Sequence, residues 1–294
     1  MPMRDARRSL VRCAPTLGCN PNPAGIGAVA AATCEEESFV DLSVRVLEAD
    51  PELGLRVSPD RIAQARRALV APQAGLGRGR WEVPPSTRGQ LGFLLLDGVL
   101  GRDVLLAGTT CTELLGAGDV LEPASPGRDE RLVRFHVHWQ VVEPVRLAVL
   151  DAAFARRLDA WPQVTSALLE RALRRSQRAT VHLALLQLSP VETRLLVLLW
   201  CLAERWGRVT RDGIALRLRL SHRLLGQLVG CQRASVTTAL QRVVASGRVE
   251  RRADGTWLLR GAPPDELEAL HWQPREAPAT PGARPGAQPV RLRG

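Results

Sequence analysis

The chain of 294 residues carries a formal net charge of +10 at pH 7, and 45% of its residues are hydrophobic. This composition is typical of a globular protein large enough for two domains, and it excludes a largely disordered chain. No apolar run approaches the roughly 20 residues of a membrane span, and the first residues lack the apolar core of a signal peptide, so we expect a cytoplasmic protein.

The N-terminal residues differ in character from those that follow. Residues 1–38 combine Pro, Gly, Ala and Asn without a sustained period, and we predict a disordered extension. Order is expected to begin near Phe39. The Ala- and Arg-rich residues 62–71 have helical character, and this helix is predicted to end before Pro72.

Short strands are predicted from Trp81 onward. Asp97-Gly98 joins two apolar runs, and both residues tolerate positive φ, so we predict a β-hairpin with its turn there. Further strands are predicted at residues 109–115, 131–142 and 144–150, with Gly116, Gly118 and Asp119 in a turn. About half a dozen such strands predict an antiparallel, cupin-like β-roll over residues 39–150.

Residues 151–186 show helical spacing and are predicted to form a long helix, interrupted at Pro162. Its second part could pair with its copy in another chain, which predicts a homodimer. Five arginines are assigned to other faces of the helix: Arg156, Arg157, Arg171, Arg174 and Arg175. The apolar stripe is predicted to contain Phe154, Leu158, Trp161, Val164, Leu168, Ala172, Ala179, Leu183 and Leu186.

Residues 187–262 are predicted to form a separate domain. Ser189-Pro190-Val191-Glu192 has the pattern of a capping box with Pro at the first helical position, and it precedes an apolar helix that stops at Gly207. Residues 214–220 alternate apolar and Arg side chains, as a half-buried strand does. Residues 263–294 are rich in Pro, Ala and Arg, and we predict a disordered tail.

Residues 221–247 have the spacing of a helix-turn-helix. The first helix needs a small residue where the second crosses it, and Gly226 supplies it. Gly230 supplies the turn, Val236 fills the core from the second helix, and Ser221 is the predicted N-cap of the first. Residues 248–252 and 256–259, joined at Asp254-Gly255, form the predicted hairpin of a wing.

Most of the net positive charge belongs to this domain. Residues 187–262 contain 13 Arg and 5 acidic residues, which is +8 of the total of +10. A local excess of this kind is typical of proteins that contact the phosphates of double-stranded DNA. Arg233 is the strongest candidate for base contact, whereas the start of the first helix is better placed for phosphate. The predicted DNA-binding residues are Ser221, His222, Arg223, Gln232, Arg233, Ser235, Thr237, Thr238 and Arg242.

From Phe39 to Gly261 the order of these parts resembles the Crp/Fnr superfamily of bacterial transcription regulators, and SHRLLGQLVGCQRASVTTAL is the most specific match. The resemblance implies an α+β fold with a cyclic-nucleotide-binding-type β-roll, a long dimerisation helix and a C-terminal winged helix-turn-helix. It also implies a homodimer that binds a two-fold symmetric operator and contacts RNA polymerase.

Two sets of residues depart from the family pattern. Ala234 replaces the base-contacting glutamate and Thr238 replaces an arginine, so we expect an operator that differs from the familiar sites. In the roll, Glu122-Pro123 follows Gly118-Asp119 where cyclic-nucleotide binders have Gly-Glu. Cyclic nucleotide is therefore not the expected effector, and Glu122, Arg131 and Arg134 are the candidate residues of an effector pocket for another small molecule, if one binds.

Two alternatives involve metals. Cys13, Cys19, Cys34 and Cys111 match the number of ligands of an iron-sulfur sensor, but they lack its close spacing, and simple reduced thiols are the competing interpretation. His136, His138 and Glu143 match half of a cupin metal site, which would suggest an enzyme, although Glu143 falls on the opposite strand face. We predict no enzyme, no cofactor and no metal.

Overall fold

The computed structural model describes residues 43–122, 135–264 and 267. The predicted extension, nearly all of the predicted tail, and Cys13, Cys19, Cys34, Arg131 and Arg134 lie outside the described residues. Among the helices that are described, none combines the length and the apolar character needed to cross a lipid bilayer.

The N-terminal part is a seven-stranded antiparallel sheet, called the roll below, with two short helices against it. The strands form the path β1-β2-β7-β4-β5, while β3 pairs with β7 and β6 with β4. They are β1 (Ser43–Arg45), β2 (Val70–Leu76), β3 (Gly79–Trp81), β4 (Gly92–Leu106), β5 (Thr109–Gly116), β6 (Val120–Leu121) and β7 (His136–Leu150). The helices are α1 (Val46–Ala49) and α2 (Pro59–Ala68), with a 3-10 turn at Pro51–Gly54 between them.

Alternate residues of the strands supply two cores, one on each face of the sheet. Leu94 and Ala148 pack with α1 and α2, whereas Phe93, Leu95 and Leu147 belong to the core on the other face. Because the side-chain period of a strand is two, a single strand such as β4 can bury both of its faces in this way. The predicted antiparallel roll is confirmed.

The predicted hairpin at Asp97-Gly98 is wrong. Strand β4 runs through it, and the pairing with β7 shifts between Leu95 and Leu100 in a bulge. Gly98 has φ of +87° and lies so close to β7 that a Cβ would be 2.0 Å from the carbonyl oxygen of Pro144. Gly98 supplies the positive φ of the bulge, and its lack of a Cβ lets β4 pass close to the backbone of Pro144, which has no N–H for the ladder.

The true turn follows at Ala107-Gly108. Leu106 lies opposite Thr109, and the two residues between them have φ of 49° and 77°. Positive φ at both positions is the pattern of a two-residue hairpin turn. The segments predicted as two strands at residues 131–142 and 144–150 form, over the described residues 136–150, a single strand, β7, that passes through Pro144.

The predicted helix ends before Pro72, as expected, because α2 ends at Ala68. Residues 69–71, which the helical pattern had included, lead into β2 instead: Ala71 is buried and pairs with Val44 of β1, and Ala74 is buried and pairs with Leu147 of β7. Pro72 lies within β2, opposite Ser43 of the short outer strand β1.

Two helices follow the roll, α3 (Ala152–Leu158) and α4 (Pro162–Leu185), so the predicted interruption at Pro162 is confirmed. The side chain of Asp151 caps α3 by accepting a 2.7 Å hydrogen bond from the backbone N–H of Phe154. The predicted apolar stripe does not share one environment, because Val164 is fully buried and Leu168 packs partly against the roll, whereas Leu183 of the same stripe is 63% exposed. The solvent face of α4 also carries Leu169 and Leu173, each more than half exposed.

Arginine side chains make polar contacts between α4 and the roll. Arg171 binds Asp50 at 3.0 Å and Glu52 at 2.8 Å, and Arg175 makes two 2.8 Å contacts with Glu113. The prediction placed these two arginines on other faces, and that placement is wrong. Paired guanidinium groups can occupy an interface that single charges cannot, because the carboxylates replace the lost water.

The C-terminal part, called the winged-helix unit below, combines three helices with a four-stranded sheet in the order β10-β11-β9-β8. Its elements are α5 (Val191–Trp206), β8 (Gly207–Thr210), β9 (Gly213–Leu216), α6 (His222–Val229), α7 (Arg233–Ala245), β10 (Val249–Arg251) and β11 (Trp257–Leu259). The β10–β11 hairpin after α7 is the predicted wing. The predicted strand at residues 214–220 is shorter, since β9 ends at Leu216, and it pairs with β8, which was not predicted.

The predicted capping box is also wrong. Pro190 is itself the N-cap residue of α5, so Ser189 does not cap the helix and the N-cap makes no side-chain hydrogen bond. The carboxylate of Glu192 pairs with Arg242 of α7. Eight buried side chains of α5 supply the centre of this unit: Leu195, Leu196, Val197, Leu198, Leu199, Trp200, Leu202 and Ala203.

Replacing Glu113 with Gln is expected to lower the free energy of unfolding by about 1–3 kcal/mol at neutral pH, since Arg175 loses its charged partner. Burial raises the pKa of Glu113, but the hydrogen bond and charge of Arg175, with those of Arg102, outweigh it and hold the pKa below the ordinary 4.5. A lowered pKa stabilises the folded state above the ordinary value, and this stabilisation is lost as the pH falls through the folded-state pKa.

Urea unfolding at several pH values measures both effects. The stability difference between wild type and Glu113→Gln should be full at neutral pH and should disappear in acid. Glu250→Gln is the control, because Glu250 pairs with Arg260 at an exposed position. A difference that persists unchanged in acid would show that the charge of Glu113 is not its source.

Candidate nucleic-acid interface

The two glycines of the helix-turn-helix occupy positions that favour glycine for different reasons. A Cβ on Gly226 of α6 would lie 2.7 Å from the carbonyl oxygen of Cys231 in the turn and 3.6 Å from the side chain of Val236 in α7. Gly230 ends α6 in the left-handed conformation, with φ of 64° and ψ of 39°. Val236 of α7 is fully buried beneath this crossing. The predicted roles of these three residues are therefore those that the structure gives them.

Hydrogen bonds fix both ends of α6. Ser221 caps its start, because its hydroxyl accepts a 3.1 Å hydrogen bond from the backbone N–H of Leu224. Arg194 of α5 donates to the carbonyl oxygen of Val229 at 2.7 Å and to that of Leu188 at 2.9 Å. This role of Arg194 was not predicted, and the sequence offered no signal for it beyond one more arginine in a basic segment.

His222 and Thr237 hold the two helices together. The hydroxyl oxygen of Thr237 lies 3.0 Å from Nδ1 of His222, and the same hydroxyl donates to the carbonyl oxygen of Arg233 at 3.0 Å. Both side chains are only partly accessible. These two members of the predicted DNA-binding set thus have partners within the helix-turn-helix itself.

The remaining predicted residues form one exposed surface. Gln232 is the N-cap residue of α7 and Arg233 begins the helix. The exposed members are Ser221, Arg223, Gln232, Arg233, Ser235, Thr238 and Arg242. Ala234 is exposed among them, so the start of α7 presents one guanidinium group, one amide and short hydroxyl side chains.

A groove separates the start of α5 from the exposed face of α7. It has a volume of about 440 Å³ and is lined by Ser189, Pro190, Val191, Glu192, Ser235, Thr238, Ala239 and Arg242. Arg242 remains 69% exposed although it pairs with Glu192. The hydrogen bond from the backbone N–H of Glu192, followed by that from Arg242, lowers the pKa of the Glu192 carboxyl, so it carries a negative charge at neutral pH. Sequence reasoning missed Glu192 here because it assigned this side chain to the capping box.

Of the candidate effector residues, only Glu122, which follows β6, is described, because Arg131 and Arg134 lie outside the described residues. The candidate metal residues of β7 do not form a site. His136 and His138 are exposed on β7, while Glu143 pairs with Arg78. Among residues 43–122 and 135–264, no three His, Cys, Asp or Glu side chains are grouped so that they could hold a metal ion.

The described cysteines are reduced thiols in three different places. Cys111 is exposed on β5, whereas Cys201 and Cys231 pack partly against the core of the winged-helix unit. Burial raises the pKa of all three thiols, and the charges of Glu113 and Asp103 add to the rise at Cys111. A raised pKa favours the thiol over the nucleophilic thiolate.

No family model matches the chain, and no curated protein matches it in sequence. Solved structures do match in fold. A mutant of CooA from Carboxydothermus hydrogenoformans is 18% identical, with a TM-score of 0.54, and the match covers 80% of this chain and 97% of that one.

FixK2 from Bradyrhizobium japonicum is 16% identical, with a TM-score of 0.52 and coverage of 69% of this chain and 98% of that one. A cyclic nucleotide-binding domain containing protein from Listeria monocytogenes EGD-e is also 16% identical, with a TM-score of 0.53 and coverage of 72% and 97%. These three likenesses, each below 20% identity, show that the chain shares the fold of these solved structures.

Proposed function

We propose that this protein is a transcription regulator that binds a two-fold symmetric DNA operator as a homodimer. The observation that carries the proposal is the exposed start of α7, where Gln232, Arg233, Ser235 and Thr238 face solvent above a helix-turn-helix scaffold. The proposed domains are the roll within residues 39–150, a dimerisation helix in residues 151–186 and a DNA-binding domain in residues 187–262.

Direct contact with bases is assigned to few side chains. Arg233 is the residue that can bind guanine through two hydrogen bonds, and Gln232 can contact adenine. Thr238 and Ser235 are short, and the hydroxyl of Thr238 lies 3.4 Å from the carbonyl oxygen of Ala234 in its own helix. Thr237 was predicted to contact DNA, but we assign it a positioning role. Its hydroxyl already makes hydrogen bonds with His222 and with the carbonyl oxygen of Arg233.

Phosphate contact is supported by charge. The arginines that surround the helix-turn-helix include Arg208, Arg211, Arg217, Arg219, Arg223 and Arg251, and all of them are exposed. Arginine donates to phosphate through a planar pair of N–H groups, so it is well suited to this contact. Arg223, at the start of α6, is the proposed phosphate contact nearest to the recognition helix α7.

The homodimer is supported by the exposed face of α4. Leu169, Leu173, Ser176, Thr180 and Leu183 follow one another at intervals of four, three, four and three residues. All five are exposed, and this spacing is that of a coiled-coil seam. The opposite face of α4 is already covered by the roll, so a second copy of α4 is the partner we propose for the seam.

Regulation through the roll is proposed without cyclic nucleotide. Glu122-Pro123 lacks the Gly-Glu pair implied by the resemblance, so Glu122, Arg131 and Arg134 are proposed to bind a different small molecule, if one binds. RNA polymerase is the proposed protein partner, as the resemblance implies.

Replacing Arg233 with Ala is expected to remove discrimination at the base pair that it contacts, which costs about 1–3 kcal/mol on the operator, while binding to unrelated DNA is largely retained. The operator is first selected from random double-stranded DNA by the wild-type protein. Binding of wild type and variant is then measured at several salt concentrations on the operator and on single-base variants of it.

Arg223→Ala is the matched control for Arg233→Ala. It should weaken binding to all sequences alike and reduce the salt dependence by about one phosphate contact. A uniform loss with Arg233→Ala would make Arg233 a phosphate contact, and failure of the wild-type protein to enrich any sequence would contradict the proposed function.

Replacing Glu192 with Gln is expected to strengthen binding to any DNA by about threefold to tenfold, because Arg242 is released to a phosphate and a nearby negative charge is removed. Titration of a non-operator duplex at low salt measures the effect. Glu204→Gln is the control, since Glu204 is exposed on the same helix, about three turns away. An equal gain in both variants would indicate net charge rather than Arg242 as the cause.

Replacing Leu183 with Glu is expected to convert the dimer to monomer, because the substitution places two negative charges together at the seam. Sedimentation velocity over a range of protein concentrations measures the change. Val181→Glu introduces the same charge at a position that is 53% exposed but does not belong to the seam spacing, and it should remain dimeric. A Leu183→Glu protein that still sediments as a dimer would show that α4 is not the interface.

A further inference from the structure

The turn between β5 and β6, residues 116–119, contacts both helices that leave the roll. Its sequence is Gly-Ala-Gly-Asp, and it lies between helix α4 on one side and the C-terminal end of α5 on the other. Helix α4 carries the proposed dimer seam, whereas α5 is the first helix of the winged-helix unit. The turn therefore touches both parts that must be positioned relative to each other in a dimeric DNA-binding protein.

Asp119 is the centre of these contacts. Its side chain is only 3% exposed, and Arg178 of α4 binds one carboxylate oxygen. Arg205 of α5 binds the other oxygen at 2.5 Å, and the backbone N–H of Gly116 donates to that oxygen at 2.9 Å. A buried carboxylate with two guanidinium partners and a backbone donor is fully satisfied, and loss of its charge would leave both arginines without it.

The two glycines of the turn leave space for side chains of α4 and α5. A Cβ on Gly116 would lie 2.8 Å from the ring of Trp206 at the end of α5, and a Cβ on Gly118 would lie 2.0 Å from the guanidinium of Arg171 on α4. Arg205 also donates to the carbonyl oxygen of Ala117 at 3.3 Å. Asp119 thus contacts α4 and α5 through its side chain, and Ala117 contacts α5 through its carbonyl oxygen. Gly116 and Gly118 have no side chain, which leaves space for Trp206 and Arg171.

Apolar contacts continue this docking between the roll and the winged-helix unit. Val99 and Val142 of the roll are buried in the same core as α5 and α6, and Leu114 packs against that core. The winged-helix unit therefore packs directly against the roll, in addition to the covalent connection at residues 186–190.

We propose that the Asp119 junction fixes the orientation of the winged-helix unit relative to α4, and thereby sets the spacing of the two DNA half-sites that one dimer can bind. This inference rests on the proposed function. Asp119 is a positioning residue, since it contacts neither the recognition helix nor its exposed face.

The junction favours DNA binding rather than blocking it. Gln232, Arg233, Ser235 and Thr238 remain exposed while the winged-helix unit is docked on the roll. Two units held rigidly on a paired α4 can contact both half-sites of one spacing without a further loss of conformational freedom, and this preorganisation raises the affinity for that spacing. Looser units would accept other spacings at a lower affinity for the preferred one.

The test compares wild type with Asp119→Asn on DNA of defined geometry. The DNA set contains the operator selected by the wild-type protein, a single half-site, and operators with one or two base pairs added between half-sites. For Asp119→Asn we expect half-site affinity within about twofold of wild type, an operator affinity about tenfold lower, and a smaller penalty for altered spacing.

Three outcomes would overturn the proposal. They are an unchanged spacing preference, an equal loss on operator and half-site, and tighter operator binding, which would make the junction inhibitory. Each presumes that the wild-type protein selects an operator, so these failures are distinct from failure of the proposed function. Glu48→Gln, which removes an exposed carboxylate paired with Arg45, is the control and should behave as wild type.

A measurement without DNA tests the same junction. Hydrogen exchange of residues 186–190 should become several-fold faster in Asp119→Asn, because the connection no longer links two fixed bodies. Arg205→Gln leaves the pair of Asp119 with Arg178 in place and serves if Asp119→Asn does not fold. The double variant should exchange no faster than Asp119→Asn alone, since the pair of Arg205 with Asp119 is already broken by Asp119→Asn. Unchanged exchange in both single variants would contradict the proposal.

Discussion

Helix α4 is held against the roll by arginines spaced along one of its faces. Arg171, Arg175 and Arg178 are four and three residues apart, and each reaches a different carboxylate or pair of carboxylates. Ion pairs that lose much of their water add little net stability, but they define geometry strictly, because a displaced charge would remain desolvated without a partner. A slip of α4 by one turn, about 5.4 Å, would unpair all three arginines at once.

That fixed register determines what the other face of α4 can do. With Arg171, Arg175 and Arg178 turned towards the roll, Leu169, Leu173 and Leu183 must face solvent at coiled-coil spacing. The same register brings Arg178 to Asp119, which also receives Arg205 from the winged-helix unit. The position of the proposed seam and the seating of the winged-helix unit are thus consequences of one set of charge contacts.

The sequence predicted most accurately the elements whose signals are local. Gly226, Gly230 and Val236 meet steric demands within a few residues of one another, so their spacing alone identified the helix-turn-helix. The errors involve distant partners. Asp97 and Gly98 tolerate positive φ in a bulge as well as in a hairpin turn, so the local sequence does not distinguish the two structures. The bulge depends on β7, a distant segment in which Pro144 lies against Gly98. The face of α4 was misassigned because an arginine with a carboxylate partner far along the chain looks like a solvent-exposed residue.

Arginine is the only basic residue type in the chain apart from His, and its neighbours give it two different roles. Residues 39–150 contain 13 Arg and 14 acidic residues, so arginines at the roll find carboxylates, whereas residues 187–262 contain 13 Arg and only 5 acidic residues. Some arginines of the second group are still structural, since Arg194 binds backbone carbonyls and Arg205 binds Asp119. The exposed arginines that remain around α6 and α7 have too few carboxylates to pair with, and an unbalanced set of guanidinium groups beside a helix-turn-helix is the arrangement that phosphate would neutralise.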